Sequence, residues 1–84
     1  MRHARAAALA EIEGLLTTIR RVAALKERGP GIFYLRGKAF LHFHEDPAGL
    51  FADLRKDGDW VRFAVNTKAG QQRLVKSITA LVSD

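Results

Sequence analysis

Three turn signals are crowded into the middle of the chain: Gly37-Lys38, Asp46-Pro47-Ala48-Gly49 and Lys56-Asp57-Gly58-Asp59. Asp bonds its own backbone in such turns, Pro presets the second position, and Gly accepts positive φ. The runs between them are rich in aromatic and branched residues: 32–36 (IFYLR), 39–44 (AFLHFH), 49–55 (GLFADLR) and 60–65 (WVRFAV). These are strand compositions. Parallel neighbours would need crossovers of about a dozen residues or more. Connections this short predict an antiparallel meander of adjacent strands.

The flanking segments read as helices. Over residues 6–27, Leu9, Ile12, Leu16, Ile19 and Ala23 recur at spacings of three and four, with Leu15 and Val22 widening the stripe. Leu25 falls off that stripe, and Gly14 costs such a helix about 1 kcal/mol relative to alanine. Gly29-Pro30-Gly31 reads as its stop. After Asn66 or Thr67 as a cap, residues 68–82 place Leu74, Val75, Ile78, Leu81 and Val82 on one face. The prediction is a single α+β domain of order α-β-β-β-β-α, a four-stranded antiparallel meander packed on one face by two helices. At 84 residues there is chain for one core only.

Composition narrows the function classes. The chain has no cysteine, which excludes disulfides, a thiol nucleophile and Cys-ligated zinc or iron–sulfur sites. No apolar run approaches the roughly 18–20 residues of a membrane span, and Glu11 and Glu13 follow too soon for residues 1–10 to be a secretory signal. A cytoplasmic protein without a membrane partner is the expectation. The net charge is +5, concentrated towards the two ends, with Glu45, Asp46, Asp53, Asp57 and Asp59 making the middle mildly acidic. Such a balance fits a partner rich in phosphate, and it also serves solubility.

Period-two alternation divides the sheet. Ala39, Leu41, Phe43, Leu50, Ala52, Leu54, Val61, Phe63 and Val65 form a prospective core face. Phe40, His42, His44, Phe51, Asp53, Arg55, Trp60 and Arg62 collect on the other. If Asp46–Gly49 closes as a plain four-residue turn, His42 faces Asp53 and Phe40 faces Arg55. A glycine bulge there would instead shift the pairing by one and mix the two sets. The plain turn keeps the apolar residues together and is the expected register.

His42 and His44 lie two apart, so their rings share a face about 6.5–7 Å apart at the backbone. Neutral imidazoles bind zinc, nickel or iron, with Asp53 or Glu45 available to complete a divalent-metal site. A His–Asp pair is also the seed of a general base, and packed strand histidines with a single hydrogen bond have the same spacing. No serine sits in a nucleophile elbow and no glycine run forms a phosphate-cradling loop, so no catalytic residue is assigned. Phe51 and Trp60 beside Arg55 and Arg62 would stack bases and hold phosphates, against the opposing charge of Asp53, Asp57 and Asp59. Arg20, Arg21 and Arg28 on the first predicted helix offer a second nucleic-acid surface, or simply a solvated helix back. A homodimer closing the outer sheet face would cover Phe40, Phe51 and Trp60.

The stretch from Gly31 to Leu54 resembles a group of short bacterial proteins of unknown function. More distantly, it resembles the luciferase-like domain family, in which an F-x-H-x-H strand precedes a turn and another strand. Phe40, His42 and His44 match that pattern. The resemblance implies a compact α+β domain with a recurring His-x-His strand, and it carries over no activity or catalytic residue. The residues point to a non-enzymatic binding or self-associating module, with nucleic-acid binding and a metal or small-ligand site at His42, His44 and Asp53 as alternatives.

Overall fold

The structure is a computed structural model that describes residues 2–83. The strands are β1 (Arg2–His3), β2 (Leu25–Gly29), β3 (Ile32–Leu35), β4 (Lys38–Asp46), β5 (Gly49–Lys56) and β6 (Asp59–Ala64). The helices are α1 (Ala6–Ala10), α2 (Glu13–Arg20) and α3 (Lys68–Val82). The sheet is antiparallel in the order β2-β3-β4-β5-β6, and β1 pairs with the far end of β4 beside β3. All three helices contribute to one core with the inner sheet face, through Leu9, Leu15, Leu16, Ile19, Leu74 and Ile78. The α+β class and the helix-backed antiparallel meander therefore stand. Among the described residues, however, the meander has five strands with β1 added, and three helices back it, in place of the predicted four strands and two helices.

The predicted helix over 6–27 does not form as one piece. It breaks at Glu11-Ile12, where Ile12 leaves helical geometry (φ −119°, ψ 30°) yet is only 3% exposed. The break lets Leu9, Ile12 and Leu16 all reach the sheet from two short helices. Residues 25–29 are a strand rather than the last helical turn, and Leu25 pairs with Leu35. Gly29-Pro30-Gly31 thus closes a hairpin instead of ending a helix, because the residues that cap helices also make turns. The Glu27 carboxylate ties this hairpin to α2. It accepts from Arg20 Nε at 2.7 Å and Nη2 at 3.0 Å, and from the Gly31 amide at 3.0 Å.

The Asp46–Gly49 turn takes the plain register, with Asp46 opposite Gly49, His42 opposite Asp53 and Leu41 opposite Leu54. Asp46 Oδ1 accepts from the Ala48 amide at 2.7 Å, the local bond expected of an Asp at this turn position. Asp57 and Gly58 take φ of 53° and 85°, the left-handed pair that a two-residue hairpin needs. One strand position departs from simple alternation. Phe33 pairs with Leu41 and Tyr34 with Ala39, so Phe40 is bulged. The bulge turns Phe40 into the core at 5% exposure, which corrects its predicted place on the outer face opposite Arg55. Ala39 shifts away from the core in exchange. Val61, also predicted for the core, is 38% exposed at the sheet edge.

Two helical glycines differ in their surroundings. A Cβ on Gly70 would collide with the Ala64 carbonyl oxygen, where α3 begins against β6, whereas Gly14 in α2 has nothing within 4 Å. Gly14→Ala is expected to stabilise the fold by about 0.5–1 kcal/mol through helix propensity and a less flexible unfolded chain. Gly70→Ala is expected to destabilise it by about 1–3 kcal/mol despite the same propensity gain. Urea titrations of the two variants read the opposite signs directly.

Candidate functional site

The helices cover one sheet face, and on the other the polar and aromatic residues collect. Alternation from the core residues Phe33, Leu41, Phe43, Ala52 and Leu54 places Ile32, Tyr34, His42, His44, Phe51, Asp53 and Arg55 on that face. Trp60 and Arg62 join them from β6. β1 adds His3, directly opposite His44.

Asp53 is the hub. Arg62 grips it with a two-pronged fork, Nε to Oδ1 at 2.9 Å and Nη2 to Oδ2 at 3.0 Å. His44 Nε2 lies 3.1 Å from Oδ2. The Arg62 hydrogen bonds, more than the surrounding charges, hold the Asp53 carboxyl below the usual carboxylate range against the opposing effect of burial.

All three histidines of the chain meet here. The ring centroids of His3 and His44 are 5.1 Å apart, those of His3 and His42 5.6 Å, and those of His42 and His44 5.9 Å. The Trp60 ring lies 4.8 Å from His42. Burial first, then the neighbouring imidazoles of His3 and His44, push the His42 pKa below its ordinary value. The metal reading of this cluster has no prepared cage: among the described residues, no group of three or more His, Asp or Glu is arranged to hold an ion. Both oxygens of Asp53 already have partners.

On the open face, the rings of Tyr34, Phe51 and Trp60 each carry an arginine. The Arg55 guanidinium lies 4.5 Å from the Trp60 ring centroid, Arg28 lies 5.1 Å from Tyr34, and Arg62 lies 5.8 Å from Phe51. Arg55 is fixed by Nε donation to the Ala39 carbonyl at 2.8 Å, a bond that the Phe40 bulge makes reachable.

The basic helix surface predicted from Arg20, Arg21 and Arg28 does not assemble. Arg20 is engaged by Glu27 and Glu13, Arg21 ends α2, and Arg28 lies on β2 against Tyr34. Sequence reading missed His3, because two residues are too few to show a strand period. It also missed the Arg28–Tyr34 pair, because β2 was read as helix. An open cleft of about 690 Å³ lies on the helical side, lined by residues including Leu15, Gln71 and Val75. Among the described residues, no helix is long and apolar enough to cross a membrane. No family model, no curated protein and no solved structure matches this chain.

His42 gives a pH dependence of defined sign. An unfolded chain protonates histidine near about pH 6.5. Above that pH His42 is neutral in both states and no stability is lost. Below it the unfolded state binds the proton first, so stability falls until His42 itself is protonated. The Asp53 contribution is lost only as pH falls through its own lowered pKa, below this window. Urea unfolding at about pH 7.5 and 5.5 should show lower stability at the acidic value, and His42→Gln should narrow the difference. An equal difference in the variant would assign the effect to other groups.

Proposed function

We propose that the chain is a non-enzymatic binding module whose open sheet face takes single-stranded nucleic acid. The observation that carries this reading is the set of arginine–aromatic pairs on the uncovered face. Aromatic rings stack bases without reading them, and guanidinium groups beside them neutralise the backbone phosphates. Arg28 and Arg55 are paired with rings and with no carboxylate among the described residues. Of the acids that oppose phosphate binding in the sequence, Asp53, Asp57 and Asp59, the one at the centre of this face, Asp53, is paired with the Arg62 fork. A net charge of +5 adds long-range attraction.

Trp60 is the chain's only tryptophan and is 41% exposed, so its fluorescence reports directly on this face. Titration with a single-stranded oligonucleotide of about a dozen nucleotides should quench it. Raising salt from about 50 to 200 mM should weaken binding roughly tenfold, as two or three phosphate contacts require. Trp60→Phe retains a stacking ring, whereas Trp60→Ala, followed by anisotropy of a labelled oligonucleotide, should lose about tenfold or more in affinity. Arg55→Ala should flatten the salt dependence. Absence of quenching at low salt, or equal affinity in Trp60→Ala, would overturn the reading.

A further inference from the structure

The path β2-β3-β4-β5-β6 ends in two edge strands of opposite character. β2 presents Lys26, Glu27 and Arg28 in succession and is followed by Pro30, the charges and proline that discourage another strand from pairing. β6 instead carries Trp60 and Val61, the exposed large hydrophobics among the described residues, at 41% and 38%. They are consecutive, so they flank the same stretch of backbone on opposite faces.

That backbone is open to pairing. The two-residue turn Asp57-Gly58 makes Lys56 and Asp59 a hydrogen-bonded pair. At the far end the Val65 amide donates to the Leu50 carbonyl at 3.0 Å. In an antiparallel ladder the bonded positions alternate, so Val61 and Phe63 also bond inward to β5, and the N–H and C=O groups of Trp60 and Arg62 point outward. Beyond them, Gly70 at the start of α3 packs against the Ala64 carbonyl and closes the edge.

We propose that β6 is the edge at which a second copy of this chain adds, antiparallel about a twofold axis through Val61. In that register each Trp60 lies opposite the second copy's Arg62, and the two exchange N–H···O bonds. The facing side chains form a cation–π pair on the open face. The two Val61 side chains meet on the other face at the axis. A register centred on Arg62 would oppose two guanidinium groups and drive the strand into the start of α3. Edge pairing also avoids what a face-to-face dimer would require, the apposition of Arg55, Arg62 and three imidazoles with their own duplicates. The surface involved is one short strand, so association is weak and concentration-dependent. The proposal does not rest on nucleic-acid binding. Val61 lies on the side away from the proposed nucleic-acid surface, so substitutions there separate the two readings.

Sedimentation equilibrium of the full chain from about 10 µM to 1 mM, in the millimolar-to-micromolar affinity range, should show a monomer–dimer equilibrium. Val61→Lys and Val61→Asp each place like charges at the axis and should weaken dimerisation at least tenfold. An equimolar mixture of the two should regain dimer, because Lys then faces Asp. Both variants should keep the parent's circular dichroism and its oligonucleotide-induced Trp60 quenching. A chain that stays monomeric at 1 mM, a Val61→Lys variant that dimerises like the parent, or a mixture that fails to recover would each overturn the proposal. Loss of quenching in the parent with an intact dimer would overturn the nucleic-acid reading alone.

Discussion

The register of β4 fixes nearly everything else. It pairs with β3 and β1 along one side and with β5 along the other, so its alternation sets both faces of the sheet. Leu41 and Phe43 point into the core while His42 and His44 point out. A slip of one residue against β5 would bury the imidazoles and expose Phe43. The Asp46–Gly49 turn prevents that slip by local means, through the Asp46–Ala48 bond and the short loop. Glu27 plays a comparable part at the opposite end, where a carboxylate 23% exposed joins α2, β2 and the following turn.

The turns at Asp46–Gly49 and Lys56–Asp59 and the strands they join were legible because each is encoded within a few residues. The β3–β4 hairpin instead turns at Arg36-Gly37, one residue before the predicted Gly37-Lys38, and Lys38 already pairs with Leu35. Pro47, Gly49, Asp57 and Gly58 act on their own backbone, and the apolar residues of β5 alternate without interruption. What the sequence concealed depends on contacts distant along the chain. Residues 25–29 form a strand because β3 offers them partners, and nothing in Leu25-Lys26-Glu27-Arg28-Gly29 itself declares this. The misplacement of Leu25 on the helical stripe was the available sign. β1 is likewise defined by β4 rather than by its own two residues. The Phe40 bulge breaks the period at one position, and a period read over six residues cannot locate a single insertion.

The candidate site follows the same division. His42, His44, Asp53, Arg55, Trp60 and Arg62 were assembled from alternation alone, since all lie on three consecutive strands in the expected register. The partners that change their chemistry arrive from elsewhere. His3 raises two neighbouring imidazoles to three, and the bulge supplies the Ala39 carbonyl that holds Arg55 against Trp60. With Asp53 already bound by Arg62 and His44, the cluster has less capacity for a metal than the His-x-His spacing implied. The arginine–aromatic pairs became the more informative feature.

Protonation would act on this face in two opposing ways. Burial, and then the neighbouring imidazoles of His3 and His44, make a proton on His42 unfavourable. Acid therefore weakens the fold. The same protons add positive charge beside Arg55 and Arg62, where a phosphate backbone is proposed to lie, and so strengthen its attraction. By linkage, an anionic ligand bound there favours the protonated form of His42 and offsets part of the stability lost in acid. A neutral ligand on the same face would leave that loss unchanged. The coupling between ligand charge and acid stability thus follows from the location of His42, whatever sequence the ligand carries.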